Sequence, residues 1–417
     1  MNMSANQHTT NGDASNHDTP NHDTTSVDAR FELYSSRLAR VCGAMDRADV
    51  EALLITDPIN IQYATGATNM SVFSTRTPAR YLLVFPNRRT ILFDFLGGEH
   101  LSADLQTVTD VRIARGLCFV SSNGLVIEES KLLAAELGGI IHDELGAIGK
   151  LAIDRFRFET ADELRNAGFT LVDADPVFSD ARRIKTSHEV ALMHAAMQRV
   201  EPPTQIFEER LRPGVTENQA WSEFHAPFVA ANGQYVVSRL MQSGTRTYPY
   251  FQECGEKVIE AGDLVCLDTD VIGFEGYAVD FSRTFIVGDA KPTSAQRSLY
   301  DRAREQLLHN SSLIGPGVPF EHVARRAWAV PDEHQASRYY CIGHGLGMSG
   351  EYPNLPHATP GQPYPLQDNF EPGMVFCVES YVGSAATGQG VKLEDQLLVT
   401  NTGVEVMNRY QFDHRLG

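Results

Sequence analysis

The stretch LDTDVIGFEGYAVD, residues 267–280, sets Asp268, Asp270 and Asp280 in an otherwise apolar, strand-like run. Removing an unpaired carboxylate from water costs several kcal/mol or more, so a fold that accepts this segment must supply a partner for it. Side chains alternate along a strand, which puts Cys266, Asp268 and Asp270 on one face and Val265, Leu267, Thr269 and Val271 on the other. Gly273 to Gly276 reads as a hairpin loop, because glycine accepts the backbone angles of a tight reversal. The returning run YAVDFSRTFIV is rich in β-branched and aromatic residues. Folding back about the loop brings Asp280 roughly opposite Asp268 and Asp270. Three like charges so close raise one another's pKa, and a bound cation removes that penalty.

A cation there needs further donors. YYCIGHGLGMSGEYP offers His344 between Gly343 and Gly345, where a chain without Cβ atoms can pass close to a ligand. Taken alone, such a histidine serves more often in structure than in ligation. MVFCVES carries Glu379 and VKLEDQLLVT carries Glu394, each among apolar neighbours. Together these carboxylates and one imidazole suit two divalent ions sharing bridging oxygens.

The length of 417 residues allows two domains. Residues 1–29, with NHDT twice and no apolar h-region, read as a disordered tail rather than a secretory signal. Residues 30–180 alternate strand-like runs (ALLIT, YLLVF, TILFDF, LAID) with helical stretches such as EESKLLAAEL, an α/β domain. At TSHEVALMHAAMQRV the pattern changes to a capped amphipathic helix, with Thr186 and Glu189 as a capping box. A second domain, 181–417, begins there. It holds a weak internal repeat, helix then RPGVTENQAW and helix then GPGVPFEHVA. The formal charge of −18 argues against nucleic acid and anionic membrane as partners. No apolar run is long enough to span a bilayer, and six cysteines without a C-x-x-C pair read as reduced thiols of a cytoplasmic protein.

These motifs resemble the pita-bread metalloenzymes: aminopeptidase P, prolidase, methionine aminopeptidase and creatinase. The matching segments are the R-x-I-K stretch from Arg182 to Lys185, the PGVTE turn, GYAVDFSRTF, GHGLG, PGMVFCVE and VKLEDQLLVT, with DPINIQYATG resembling the creatinase-type N-terminal domain. The resemblance implies a creatinase-like N-terminal domain followed by a pita-bread catalytic domain. Within that family the chain departs from the peptidases. Pro249-Tyr250 and Gly350-Glu351 stand where peptidases carry the histidines that handle the scissile peptide. TNM, SGTRTYPYFQECG, LDTD, VDFSRTF, KLEDQ and QFD instead resemble the branch of DddP-type lyases, which cleave dimethylsulfoniopropionate (DMSP) to dimethyl sulfide and acrylate. That likeness implies Asp268, Asp270, Asp280, His344, Glu379 and Glu394 as ligands of two divalent transition-metal ions, iron first, with manganese, zinc or cobalt as alternatives. It also implies a homodimer whose N-terminal domain helps close the partner's site. The branch has an aspartate base where this chain has Gly350, and a tryptophan where it has Phe73.

The expected activity is therefore a metal-dependent lyase acting on DMSP or a related small carboxylate by β-elimination. Arg246 is a candidate anchor for the carboxylate, or a structural ion-pair partner. Phe73, Tyr250 and Tyr339 are candidate π faces for a sulfonium cation, or ordinary packing. Glu351 is the carboxylate left in the turn to act as base, or a supporting residue. The rival expectations are a dinuclear-metal hydrolase of Xaa-Pro peptides, against which the missing histidines count, and a non-enzymatic binding protein, which would have no reason to keep all six candidate ligands.

Overall fold

The computed structural model describes residues 27–78, 80–147 and 149–417. The tail expectation lies outside the described residues up to position 26; residues 27–29 open the first helix. That helix, α1 (Val27–Ala48), buries Leu38, Val41 and Met45, one face at helical spacing. It is followed by β1 (Ala52–Ile55), α2 (Pro58–Thr65), α3 (Ser71–Arg76), β2 (Tyr81–Val84), β3 (Thr90–Asp94), β4 (Asp110–Ile113), α4 (Val126–Leu145), β5 (Lys150–Ile153), α5 (Phe158–Asn166), β6 (Thr170–Asp173) and α6 (Asp175–Arg182). The strands form one mixed sheet in the order β4-β3-β2-β1-β5-β6. The central strands β1, β2 and β3 are wholly buried, which is why their apolar runs stand out in the sequence. The edge strands β4 and β6 are half exposed and polar, and carry no such signal.

The remainder comprises α7 (Ser187–Arg210), α8 (Glu217–Ala230), β7 (Tyr235–Val236), β8 (Met241–Ser243), β9 (Leu264–Asp268), β10 (Val271–Ile272), β11 (Ala278–Val279), β12 (Ser282–Ile286), α9 (Ser294–Ser312), α10 (Phe320–Arg326), β13 (Cys341–Leu346), β14 (Gly350–Pro356), β15 (Val375–Ser384), β16 (Gln389–Val399) and β17 (Val404–Val406). Thr186 and Glu189 form the expected capping box, and Thr216–Gln219 and Thr293–Gln296 form two more. The pairs α7–α8 and α9–α10 match the two copies of the sequence repeat. They pack with an antiparallel sheet ordered β14-β13-β15-β16-β12-β9-β8, with β17 on the far end of β16.

Strand register builds the site. Glu379, Glu394, Ser282 and Asp268 lie directly across from one another on β15, β16, β12 and β9. Two residues along, His344, Cys377 and Gln396 form a second row on β13, β15 and β16. Directly opposed side chains point to the same face, so one sheet surface collects these groups. The glycines beside His344 serve the neighbouring strands rather than a ligand. A Cβ at Gly343 would lie 2.2 Å from the Cys377 carbonyl oxygen, and one at Gly345 would lie 2.6 Å from that of Tyr352.

The two parts of the chain share one core. Leu38, Val41 and Met45 of α1 belong to the same apolar cluster as Met193, Phe207 and Met348. Through this junction runs a buried polar connection in which Arg37 donates to the Tyr277 hydroxyl, which donates to Glu189 at 3.0 Å. Among the described residues, no helix is long and apolar enough to cross a membrane, and all six cysteines are free thiols.

Candidate metal centre

The hairpin that carries the three aspartates differs from a continuous strand. Strand β9 stops at Asp268, and Asp270 adopts φ +38°, the left-handed region that non-glycine residues rarely enter. The ladder is broken at Thr269, whose hydroxyl accepts the Phe281 N–H at 3.0 Å in place of a backbone carbonyl. This kink, rather than simple alternation, turns Asp270 back beside Asp268. Donor atoms of Asp268, Asp270 and Asp280 then lie within 4.8 Å of one another, and so do those of Asp280, His344, Cys377 and Glu394. Asp280 belongs to both groups. His344 Nε2 lies 3.6 Å from Asp280, 3.5 Å from Glu379 and 3.9 Å from Glu394. The structure therefore brings all six sequence-proposed ligands to one face.

Lys392 was not among them. It is fully buried, with its Nζ 2.7 Å from Glu379, 2.7 Å from Glu394, 3.2 Å from Asp268 and 2.7 Å from the Ser282 hydroxyl. The signal was present in the sequence. Lys392 lies two residues before Glu394 on a strand, hence on the same face, between the apolar Val391 and Leu393. Five carboxylates less one ammonium leave four negative charges, which two divalent ions balance. Asp268 Oδ1, Asp280 Oδ1 and Glu394 Oε1 are buried with no hydrogen-bond partner. Orphaned buried acceptors of this kind are rare, and together with an oxygen-rich donor set holding one imidazole they fit divalent cations.

The electrostatics carry the same imbalance. Burial first, then Glu394 and the neighbouring aspartates, push the Asp280 carboxyl well above its ordinary value. Burial and Asp268 push Asp270 up to about 7. Burial and Glu379 push Glu394 up to about 8. For Asp268, burial is outweighed by Lys392, Tyr250 and Ser282, so its carboxyl stays below the ordinary range. Burial and the surrounding carboxylates keep the Cys377 thiol protonated, well above its usual pKa. At pH 7 the metal-free centre thus holds protons that cations must displace. Metal uptake at that pH is expected to release protons and to tighten as pH rises. The release continues past the Glu394 value of about 8, because, against the effect of burial, Glu379 and Glu394 hold the His344 imidazole up to about 9, and it too must lose its proton to bind an ion. Calorimetry in two buffers of different ionisation enthalpy measures it.

A cavity of about 840 Å³ opens in front of the centre. Its floor includes Asp268, Asp270, Asp280, His344 and Glu379; its far wall comes from the N-terminal part, with Asp57, Val72, Thr75, Arg76 and Arg155. Phe251 and Tyr340, both more than half exposed, and Tyr339 form an aromatic side. A second cavity of about 310 Å³ shares Asp57, Arg155, Gly350 and Glu351 with the first, so the two meet at Gly350. His344 is the one histidine on the wall of either cavity among the described residues.

The other candidates distribute unevenly. Tyr339 lies on the cavity wall. Tyr250 lies behind it and donates to Asp268 at 2.7 Å. The cation facing both rings is Lys392, 5.2 Å and 5.6 Å from their centroids. Arg246 is off the cavity wall; it pairs with the buried Glu217 and donates to the Glu253 carbonyl, which favours its structural role. Phe73 is exposed on α3, 6.0 Å from Phe95, and does not face the cavity that its neighbours Val72 and Thr75 line.

Glu351 is held by Arg182 at 2.7 Å, by Lys185 at 2.7 Å and by the Met348 N–H at 3.1 Å. Burial would raise its pKa, but Lys185 and Arg182 outweigh it and hold the carboxyl below the ordinary range. A carboxylate so engaged is a poor proton acceptor and a good tether between the R-x-I-K stretch and β14. Glu351→Gln is expected to cost roughly 3–5 kcal/mol, the range for breaking a buried ion pair. It should read as a lowered melting temperature with turnover per folded molecule largely kept. A dead but equally stable variant would restore Glu351 as the base.

Comparison with known proteins places this geometry. Residues 191–401 match the model of metallopeptidase family M24, and residues 37–184 match the creatinase/prolidase N-terminal domain. The chain is 32% identical over 389 residues to dimethylsulfoniopropionate lyase DddP of Roseovarius nubinhibens, covering 91% of this chain and 86% of that protein. It is 31% identical to the Roseobacter denitrificans protein of the same name, covering 87% and 83%. Among solved structures, the prolidase from Pyrococcus horikoshii superposes with a TM-score of 0.73 at 20% identity, over 90% of this chain and 99% of that one. At that identity the superposition shows the fold alone.

Proposed function

We propose, from the premise that this chain belongs to metallopeptidase family M24 and carries that family's creatinase-type N-terminal domain, that it is an enzyme of the lyase branch. Its substrate is DMSP or a related small zwitterionic carboxylate, cleaved by β-elimination. The observation that carries this reading is the absence, among the described residues, of a second imidazole on the cavity wall. At the two places where peptidases hold histidine, this chain has Tyr250, tied to Asp268, and the pair Gly350-Glu351, tied to Arg182 and Lys185. The 32% identity to a DMSP lyase over most of both chains supports it.

Two divalent ions, when bound, supply Lewis acidity at the substrate's reacting end. The chain supplies the rest. Asp268, Asp270, Asp280, His344, Glu379 and Glu394 hold the ions, iron foremost. Tyr339, Tyr340 and Phe251 offer ring faces to the sulfonium group. In the elimination the α-proton passes to solvent water or hydroxide, the electron pair of its carbon–hydrogen bond becomes the new carbon–carbon double bond, and the carbon–sulfur bond breaks with dimethyl sulfide leaving. No free carboxylate stands on the cavity wall among the described residues. Asp57 pairs with Arg155 at 2.7 Å, Glu351 is tethered, and the others belong to the centre. Proton removal therefore proceeds without a positioned carboxylate base. The exposed ring of Phe73 fits a homodimer whose N-terminal domain helps close the partner's cavity.

The test is product analysis by mass spectrometry after incubating metal-loaded protein with DMSP and, separately, with Xaa-Pro dipeptides. Dimethyl sulfide and acrylate are expected from DMSP. Proline release at rates typical of enzymes, roughly 1–1000 per second, would overturn the lyase reading in favour of a peptidase.

A further inference from the structure

The centre contains a donor that neither the sequence motifs nor the family comparison assigns. Cys377 lies on β15, two residues before Glu379 and directly across from His344 on β13. The pleat therefore aims its sulfur at the same face as both ligands. The side chain is fully buried. Its Sγ and donor atoms of Asp280, His344 and Glu394 lie within 4.8 Å of one another. Two of those neighbours, Asp280 and Glu394, each keep a buried oxygen without any partner, Oδ1 and Oε1 respectively. The sulfur's one polar contact is a long donation to the Asp280 backbone carbonyl, 3.6 Å away, a weak bond that a stronger interaction easily replaces. A tetrahedral or five-coordinate ion seated among Asp280, His344 and Glu394 would have sulfur within reach as a further donor.

We propose that Cys377 is a sulfur ligand of the ion held by Asp280, His344 and Glu394, which makes this half of the centre softer than the all-oxygen half formed by Asp268, Asp270 and Asp280. The thiol loses its proton to solvent as the metal–sulfur bond forms, so the loaded centre carries one net negative charge rather than none. A mixed N/O/S donor set favours iron, cobalt or zinc over manganese and magnesium. The two halves therefore differ in preference, and the centre accepts a heterometallic pair.

The proposal rests on the metal-centre reading, and the experiment separates the two. The full-length protein is loaded with cobalt(II), the bound cobalt is counted by mass spectrometry, and the near-ultraviolet absorption and X-ray absorption are recorded. A sulfur-to-cobalt charge-transfer band and a sulfur scatterer at about 2.3 Å are expected in the wild type. Both should be lost in Cys377→Ser, which keeps a hydrogen-bond donor toward Asp280 but no sulfur. Cobalt bound in full with only oxygen and nitrogen scatterers, or a band that survives in Cys377→Ser, overturns the sulfur ligand and leaves the metal centre standing. Failure of the wild type to bind cobalt overturns both. The wild-type X-ray absorption decides the matter even if the variant fails to fold.

Discussion

Replacing Gly350 by aspartate is expected to raise cleavage of DMSP by roughly 100- to 10,000-fold, the usual worth of a positioned general base. The position invites it. No atom lies within 4 Å of where a Cβ would sit, and Gly350 is outside the left-handed region, so a side chain adds neither clash nor backbone strain. It lies on the shared wall of the two cavities, where the two common carboxylates, Asp57 and Glu351, are both ion-paired. Dimethyl sulfide measured by gas chromatography reads the gain, and Gly350→Asn, of equal size but unable to take the proton, should show none. Dimethyl sulfide from neither the wild type nor the aspartate variant at full metal occupancy would sink the DMSP reading and direct the search to another substrate.

Asp280→Ala is expected to empty the centre. Asp280 is the residue common to both donor groups, so its removal weakens both halves at once, whereas loss of His344 weakens one. Lewis-acid stabilisation is worth several kcal/mol, so activity should fall on the order of a thousandfold or more. The fold should persist, because burial and neighbouring carboxylates already disfavour the charged form of Asp280 in the metal-free protein, and His344 keeps Glu379 at 3.5 Å when it is gone. Metal counted by mass spectrometry beside an unchanged circular dichroism spectrum is the expected result. Two ions per chain retained in this variant would show that the cluster is not the binding site.

The parts of the site legible in the sequence were those that violate local rules. Asp268, Asp270, Asp280, Glu379 and Glu394 stand in apolar strands, and polar groups in such runs announce a purpose. Register was less legible. Nothing local says that Asp270 sits past a break in β9, because the break is stabilised by Thr269 bonding to Phe281 twelve residues on. Lys392 is legible only through strand alternation, which places it on the face of Glu394 between apolar neighbours. Glu351 and Arg246 could not be assigned from sequence. Their roles depend on partners far along the chain, Arg182 and Lys185 for the one and Glu217 for the other. In the N-terminal part, buried β1, β2 and β3 were plain, while the half-exposed edge strands β4 and β6 lack the apolar runs by which strands are recognised.

The buried ammonium of Lys392 bears on the order in which the protein is assembled. Many small metal sites fold only as the ion arrives, because their ligands repel one another or have nothing to organise around. Here the chain brings its own cation, bonded to ligands from three strands, and protonation of Asp280 and Glu394 removes much of the remaining repulsion. The polypeptide can therefore complete its core first and acquire ions afterwards, exchanging protons for metal in a cavity already shaped. Such a protein can be emptied by a chelator and refilled without unfolding, and the metal it carries in a cell reflects supply at the moment of filling rather than at the moment of synthesis.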